Sequence, residues 1–500
     1  MKLKTVSKFV LGAVCGSLLT ISIYATADDN DSFPMSSANS RSSSIPVDDV
    51  NNFAKVYAIA KNYYVESVTD TKLMKGAING MLNNLDPHSD YLDADDFKQL
   101  SEMTAGSFAG LGIEVSRDKG DAVKVVAPIY GTPAYIAGIK SGDLIVKIDE
   151  SPVSGMSLDD AIKHMRGKAG TKVKLSVVRT NELKPLSFTI TRAKIQIRSV
   201  KSTMLAPDYG YIRITNFQAD TSNELVNALN KLYKADPTIK GIVLDLRDDP
   251  GGLLQSAVGV SGTFLPKDSL VVYTDGRIPS SKQKFYAKPS DYDIDGTQEA
   301  KLNSVPAIFK TLPMVVLVNQ GTASASEIVS GALQDYKRAK ILGTKTFGKG
   351  SVQTVIPLSA DTAIKLTTAL YYTPKGRSIQ AEGIKPDVII QSEYDDLYNS
   401  WDMSEASLDK HLDNPTDNKS IQAKNNSSVP VIKPPKQIAT QAELKAKMNA
   451  KLKQLPKVVD QSQAQVSLND DFQLLWALNI LEGKPLPTSA TQTVAPKKAH

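Results

Sequence analysis

The sequence predicts a multidomain α/β protein. Residues 200–390 alternate short apolar runs with amphipathic segments, residues 108–192 are dense in strand-like runs, and helical periodicity marks both flanks. Its 500 residues are 41% hydrophobic and 22% charged, ordinary globular values with room for two or three domains.

Lys2, Lys4 and Lys8 precede an uncharged run at 9–24, then Ala25-Thr26-Ala27 and the first acidic residue, Asp28. This is the layout of a secretory signal, so residues 1–27 are expected to direct export to the periplasm, cleaved after Ala27 or retained as an inner-membrane anchor. Those three lysines supply half of the formal charge of +6. The remainder is too mild and dispersed for a nucleic-acid partner. The only cysteine is Cys15, so a chain cut after Ala27 has no disulfide, thiol nucleophile or cysteine metal site. His88, His164, His411 and His500 are the only histidines, and no two lie at metal-ligand spacing. No metal and no organic cofactor are expected.

Residues 28–45 read as a linker and 46–105 as a helical region. There Val50, Phe53, Tyr57, Ala60 and Tyr64 recur at helical spacing, a second helix is expected over 70–82, and a third over 93–104. Pro87 ends the second. Residues 106–192 form a strand-rich module, with strand-like runs at 110–115, 122–127, 144–148, 172–179 and 187–191. Ser157 and Asp160 open a helix at 157–165. Residues 193–395 form the α/β core, with strands at 211–214, 241–246, 314–318 and 339–342 and helices at 222–233 and 324–336. The polar stretch 276–312 reads as a surface insertion. Residues 396–500 form a low-complexity tail with two amphipathic pieces, 441–455 and 467–482.

Chemistry concentrates in three segments of the core. In Gly321-Thr322-Ala323-Ser324-Ala325-Ser326-Glu327, a serine stands at a helix start, near free N–H groups and the positive end of the dipole. That setting stabilises an oxyanion. Ser324 and Glu327 equally fit a capping box, which needs no catalysis. A serine nucleophile needs a base. Thr346-Phe347-Gly348-Lys349-Gly350-Ser351-Val352-Gln353 offers Lys349 between two glycines, and in an extended chain Gln353 lies on the same face to orient its amine. A lysine at its reference pKa near 10.4 is under about one part in a thousand neutral at pH 7, and a drop of about three units through burial suffices for a base. In Asp248-Asp249-Pro250-Gly251-Gly252 a strand runs into a turn whose backbone N–H groups can join that of Ala325 as oxyanion donors.

In the upstream module, Gly110-Leu111-Gly112-Ile113 leads into a strand, where backbone N–H groups can receive the terminal carboxylate of a peptide that adds as an extra strand.

Together these segments resemble the carboxyl-terminal processing proteases, also called tail-specific proteases, over nearly all of residues 46–395. The Gly-Leu-Gly-Ile loop and the Ala137-Gly138-Ile139 stretch running to Gly142-Asp143 carry the likeness to the family's PDZ domain. The Ser-Ala-Ser-Glu and Phe-Gly-Lys-Gly segments carry the likeness to its protease core. The resemblance implies a crotonase-like ββα protease core. It makes Ser324, rather than Ser326, the nucleophile, Lys349 the general base and Gln353 the lysine-orienting residue. It also implies that Arg166 communicates gating by the PDZ domain, that substrates are polypeptides with accessible C-terminal tails, and that the helices at 46–104 and 441–482 support self-association. An adaptor protein is a further candidate partner. The sequence departs from the family at Asp248-Asp249, where Asn-Asn is usual. Acidic groups beside a developing oxyanion are unfavourable, so both are expected to point away.

Two rival readings remain at this stage. One is a Ser–His hydrolase with His88 as base, from Leu85-Asp86-Pro87-His88-Ser89. The other is a catalytically silent scaffold that binds peptide tails through the PDZ domain.

Overall fold

A computed structural model describes residues 46–117, 122–294, 296, 298–391, 404–416, 429–433 and 471–485. The expected signal segment at 1–27, the expected linker at 28–45 and the amphipathic piece at 441–455 lie outside these residues. Among the described residues, no helix is long and apolar enough to cross a membrane.

The core is a seven-stranded sheet in the order Val200–Ala206, Tyr209–Ile214, Gly241–Asp245, Met314–Val318, Lys340–Gly343, Val388–Ile390 and Val431–Ile432. The first pair is antiparallel and every later pair parallel. Side chains alternate across this sheet as strand geometry requires. Ile242, Leu244, Val316 and Val318 face the larger core, packed with the helices Thr221–Ala235, Leu254–Phe264 and Ala325–Asp335. Val243, Val315 and Leu317 face the opposite side, which is covered by Leu474, Trp476 and Leu478 of the C-terminal helix Phe472–Leu481. With both faces covered, the central strands are continuous apolar runs.

A second, antiparallel sheet of five strands carries Ser351–Pro357 against Ala363–Tyr372, with Asp90–Leu92, Leu270–Gly276 and Lys284–Tyr286. The expected surface insertion at 276–312 is part of this framework. Its strand pairs into the sheet, and Phe285, Tyr292, Phe309 and Leu312 are buried in the main core. Its polar composition conceals widely spaced anchors.

The strand-rich module is a six-stranded sheet around Val123, Ile145, Leu175 and Val177. The strands Ser107–Gly110 and Ala193–Gln196 pair antiparallel, so the module enters and leaves the core through one two-stranded ribbon. Its helix Leu158–Met165 is capped by Ser157, whose hydroxyl accepts from the Asp160 N–H at 3.0 Å. The helix Ala94–Ala105 precedes the ribbon, capped by Asp93.

Candidate active site

Two turns at the carboxyl ends of neighbouring parallel strands build the floor of the site, the usual place for function in such sheets. After Gly241–Asp245 the chain turns through Asp248–Gly252, and after Met314–Val318 through Asn319–Ser324. Hydrogen bonds stitch them together. Asp248 N–H donates to Asn319 Oδ1 at 2.9 Å, Ala323 N–H to Asp249 O at 2.9 Å, and Thr322 Oγ1 to Leu246 O at 2.7 Å. The approach demands glycine: a Cβ on Gly251, at φ 94°, would stand 2.6 Å from Ala323 O and 2.7 Å from Ser324 Cβ.

Ser324 precedes the helix Ala325–Asp335 with φ 55° and ψ −116°, a conformation costly for any residue with a side chain. An ordinary N-cap residue is extended. The Glu327 carboxylate does reach back to the Ser324 N–H, at 2.8 Å, as the capping motif predicts. It also accepts from the N–H groups of Gly348 at 2.8 Å and Lys349 at 2.9 Å, and from the Thr346 hydroxyl. Glu327 is fully buried, and burial pushes its carboxyl up to about 7 despite those donors. One side chain therefore holds the serine turn to the lysine turn.

Ser324, Ala325, Lys349, Gln353 and Gly252 line a single cleft of about 260 Å³, with Leu100, Thr104, Leu254, Ile328, Val352, Val355, Lys365 and Tyr371. Lys349 sits in the turn before Ser351–Pro357, where a Cβ on Gly350 would stand 2.3 Å from Gln380 N. A register shift between Val352 and Gln353 lets both side chains reach the cleft. The Gln353 amide donates to Ser351 Oγ at 2.9 Å and Thr367 Oγ1 at 3.3 Å. Burial pushes the Lys349 ammonium below its ordinary pKa, and the positive charge of Lys365 adds to this. Glu405, Glu327 and Asp86 pull the other way. Tyr371, fully enclosed, donates to Lys349 O.

The candidate oxyanion donors divide. The Gly251 N–H donates to Asp249 Oδ1 at 2.9 Å and is thus occupied. Among the described residues, the N–H groups of Ala325 and Gly252 make no such bond, and both residues face the cleft. Asp248 is exposed and turns to Asn319, as expected of an acid beside the site. Asp249 is buried beneath the turn, and burial raises its carboxyl to about 7.

His88 is absent from the cleft lining. Its Nε2 pairs with Glu405 at 2.9 Å. In the module, Gly110 ends the ribbon and Ile113 begins the edge strand Ile113–Arg117. Leu111 is buried, and its carbonyl accepts from Ala134 N–H at 3.0 Å. The Gly112 carbonyl accepts from Ile129 N–H at 2.8 Å. Arg166 pairs with Glu102 Oε2 at 3.1 Å and lies over the Phe108 ring. Glu102 belongs to the helix Ala94–Ala105, whose Leu100 and Thr104 form one wall of the cleft. Sequence reasoning missed that wall, the wider role of Glu327, and Tyr371. Only Glu327 left a signal, and it resembled a cap.

Comparison with known proteins agrees with this layout. The descriptions that match are peptidase family S41 over residues 208–390, the PDZ domain over 99–178, and the activating protease CtpB N-terminal domain over 9–96. A carboxy-terminal-processing protease of Bartonella bacilliformis is 44% identical over 72% of this chain and 80% of that protein. A probable CtpA-like serine protease of Staphylococcus aureus is 39% identical over 69% of this chain and 65% of that protein. Among solved structures, a photosystem II D1 C-terminal processing protease is 32% identical, covering 69% of this chain and 87% of its own, with a TM-score of 0.38. The PDZ domain of a Vibrio cholerae carboxy-terminal protease, solved with a peptide, is 30% identical over 18% of this chain and 99% of its own, with a TM-score of 0.17. The chain belongs to the carboxyl-terminal processing proteases of peptidase family S41, serine proteases, and it carries a PDZ domain.

Proposed function

We propose that this protease is exported and cleaves polypeptides whose C-terminal tails it captures through the PDZ domain, with Ser324 and Lys349 as its catalytic pair. The observation that carries this reading is the Glu327 carboxylate, which binds the backbone of both residues at the edge of one cleft.

In this mechanism neutral Lys349 takes the Ser324 proton as Oγ attacks the peptide carbonyl carbon. The Ala325 and Gly252 N–H groups receive the oxyanion, while Gly251 supports the turn through Asp249. Lys349 then passes its proton to the leaving amine, giving an acyl-enzyme. Lys349 next takes a proton from water, which attacks the ester, and returns that proton to Ser324 Oγ as the C–O bond breaks and the acid leaves. Gln353 orients the amine from the same wall. Apolar side chains such as Leu100, Ile328 and Val355 favour an apolar residue next to the cut bond.

The edge strand Ile113–Arg117 suits a tail that adds by strand pairing, with the Gly110-Leu111-Gly112-Ile113 loop at its carboxylate. Arg166, through Glu102, links that domain to the cleft wall. Val50, Phe53, Val56 and Ile59 are exposed on the helix Val47–Tyr63, which supports self-association there. An adaptor is the further partner in this reading. The uncharged run at 9–24 is the basis for export to the periplasm, as a free or membrane-anchored protein.

Purified variants on an unstructured peptide with an apolar C-terminus test the reading. Ser324→Ala and Lys349→Ala should each bind the tail and fail to cut, and His88→Ala should still cut. Loss of cleavage in His88→Ala with activity kept in Lys349→Ala would establish the histidine base instead. Tail binding without cleavage by the wild type would leave a scaffold.

A further inference from the structure

The C-terminal segment returns to the site at Glu405. This residue is fully buried, unusual for a glutamate unless it is paired. Its carboxylate accepts from Gln380 Nε2 at 3.0 Å and pairs with His88 Nε2 at 2.9 Å, while its N–H donates to Phe347 O at 3.0 Å. Gln380, also buried, accepts from the Gly350 N–H at 3.0 Å through its other amide atom. Phe347 and Gly350, on either side of Lys349, are thus tied to Glu405, the first directly and the second through Gln380. Further bonds hold the segment down: Lys410 Nζ to Asn84 Oδ1 at 2.9 Å, Gln380 Nε2 to Leu412 O at 3.0 Å, and Asn414 Nδ2 to Gln380 O at 2.7 Å.

We propose that Glu405 is a positioning residue for the reaction, holding the Lys349 turn in place with a buried carboxylate beside it. The inference rests on Lys349 acting as the general base. Burial alone would raise the Glu405 carboxyl, but His88, Gln380 and Lys349 hold it below the ordinary carboxylate range, so it is an anion at neutral pH. The charged groups acting on Lys349 come from four elements. Lys365 on the neighbouring strand disfavours the ammonium. Glu405, Glu327 on the serine helix and Asp86 in the turn before Asp90–Leu92 favour it, and the Tyr371 hydroxyl abuts its carbonyl. Removing the Glu405 charge therefore lets the lysine lose its proton at lower pH. His88, which the fold keeps outside the cleft, serves as the partner that fixes Glu405.

The test is the pH profile of kcat/KM for the purified enzyme on one unstructured peptide with an apolar C-terminus, comparing wild type, Glu405→Gln and Glu405→Ala. In both variants the acid limb should move to lower pH. Glu405→Ala, which also loses the brace, should have kcat lowered about tenfold or more with KM within about twofold, and Glu405→Gln should recover most of that loss. An acid limb unmoved in whichever variant folds overturns the proposal. Lys349→Ala in the same assay separates the two levels. If it remains active, the lysine base itself is wrong; if it is dead while the Glu405 limb stays put, only the role of Glu405 falls.

Discussion

Ser324 and Lys349 are joined through one carboxylate: Glu327 accepts the Ser324 N–H at 2.8 Å and the Lys349 N–H at 2.9 Å. The Lys349 turn relies on Gly348, which takes φ 97° without penalty, but Ser324 is held at φ 55° against local preference. Strain of this kind persists only where surrounding bonds over-determine it, and here Glu327 supplies them.

Glu327→Ala should therefore damage both turns at once. It leaves the buried Gly348 N–H and Thr346 hydroxyl without their acceptor, each costing about 1–3 kcal/mol if unsatisfied, and also frees the partly buried N–H groups of Ser324 and Lys349. We expect a large fall in thermal stability and kcat reduced about a hundredfold or more. Glu327→Gln keeps one carbonyl oxygen but turns an NH₂ toward a donor, so it should lie between. Calorimetry with steady-state kinetics checks this; wild-type kcat in Glu327→Ala would contradict it.

Asp249 gives a pH signature in stability. Its folded pKa, about 7 through burial, lies above the ordinary 3.8. The folded state thus binds more protons between these values. Stability from this group is fully present below about pH 4 and is lost as pH rises towards 7. Asp249→Asn removes that slope. Relative to the variant, the wild type should lose up to about 4 kcal/mol from pH 4 to 7. Denaturant titrations at several pH values measure the difference, and parallel curves would refute the assignment.

Arg166→Ala should act on coupling rather than folding. The Arg166–Glu102 pair is partly exposed, so its loss should change stability by under about 1 kcal/mol. Cleavage of substrates with a bindable tail should slow markedly, while a short peptide too small to span both domains is cut at the wild-type rate. Equal slowing on both would remove Arg166 from the gating role.

How much of this was legible in the sequence depended on burial pattern. Met314–Val318 is apolar on both faces and announced itself as a central strand. Ala363–Tyr372 did not, because Lys365, Thr367 and Thr368 interrupt its apolar run. The helix Leu254–Phe264 was missed since it is buried all round, with serines, glycines and a threonine giving no amphipathic stripe. The catalytic candidates were legible as motifs, Lys349 by its flanking glycines. Glu405 was not: it lies in a polar tail, and its meaning comes only from contacts distant in sequence, with Gln380, Phe347 and, 317 positions earlier, His88. The sequence shows the glycine turn at Gly251 but not that Asp249 holds its N–H.

The pH dependence of kcat/KM for wild type and Lys349→Arg addresses the central claim most directly. Burial and Lys365 lower the Lys349 pKa, so wild-type activity should rise with pH through a single ionisation below the ordinary lysine value of 10.5. Arginine cannot give up its proton in this range, so Lys349→Arg should be inactive at every pH despite keeping the charge. A Lys349→Arg enzyme that cuts at the wild-type rate with the same acid limb would show that another group takes the Ser324 proton.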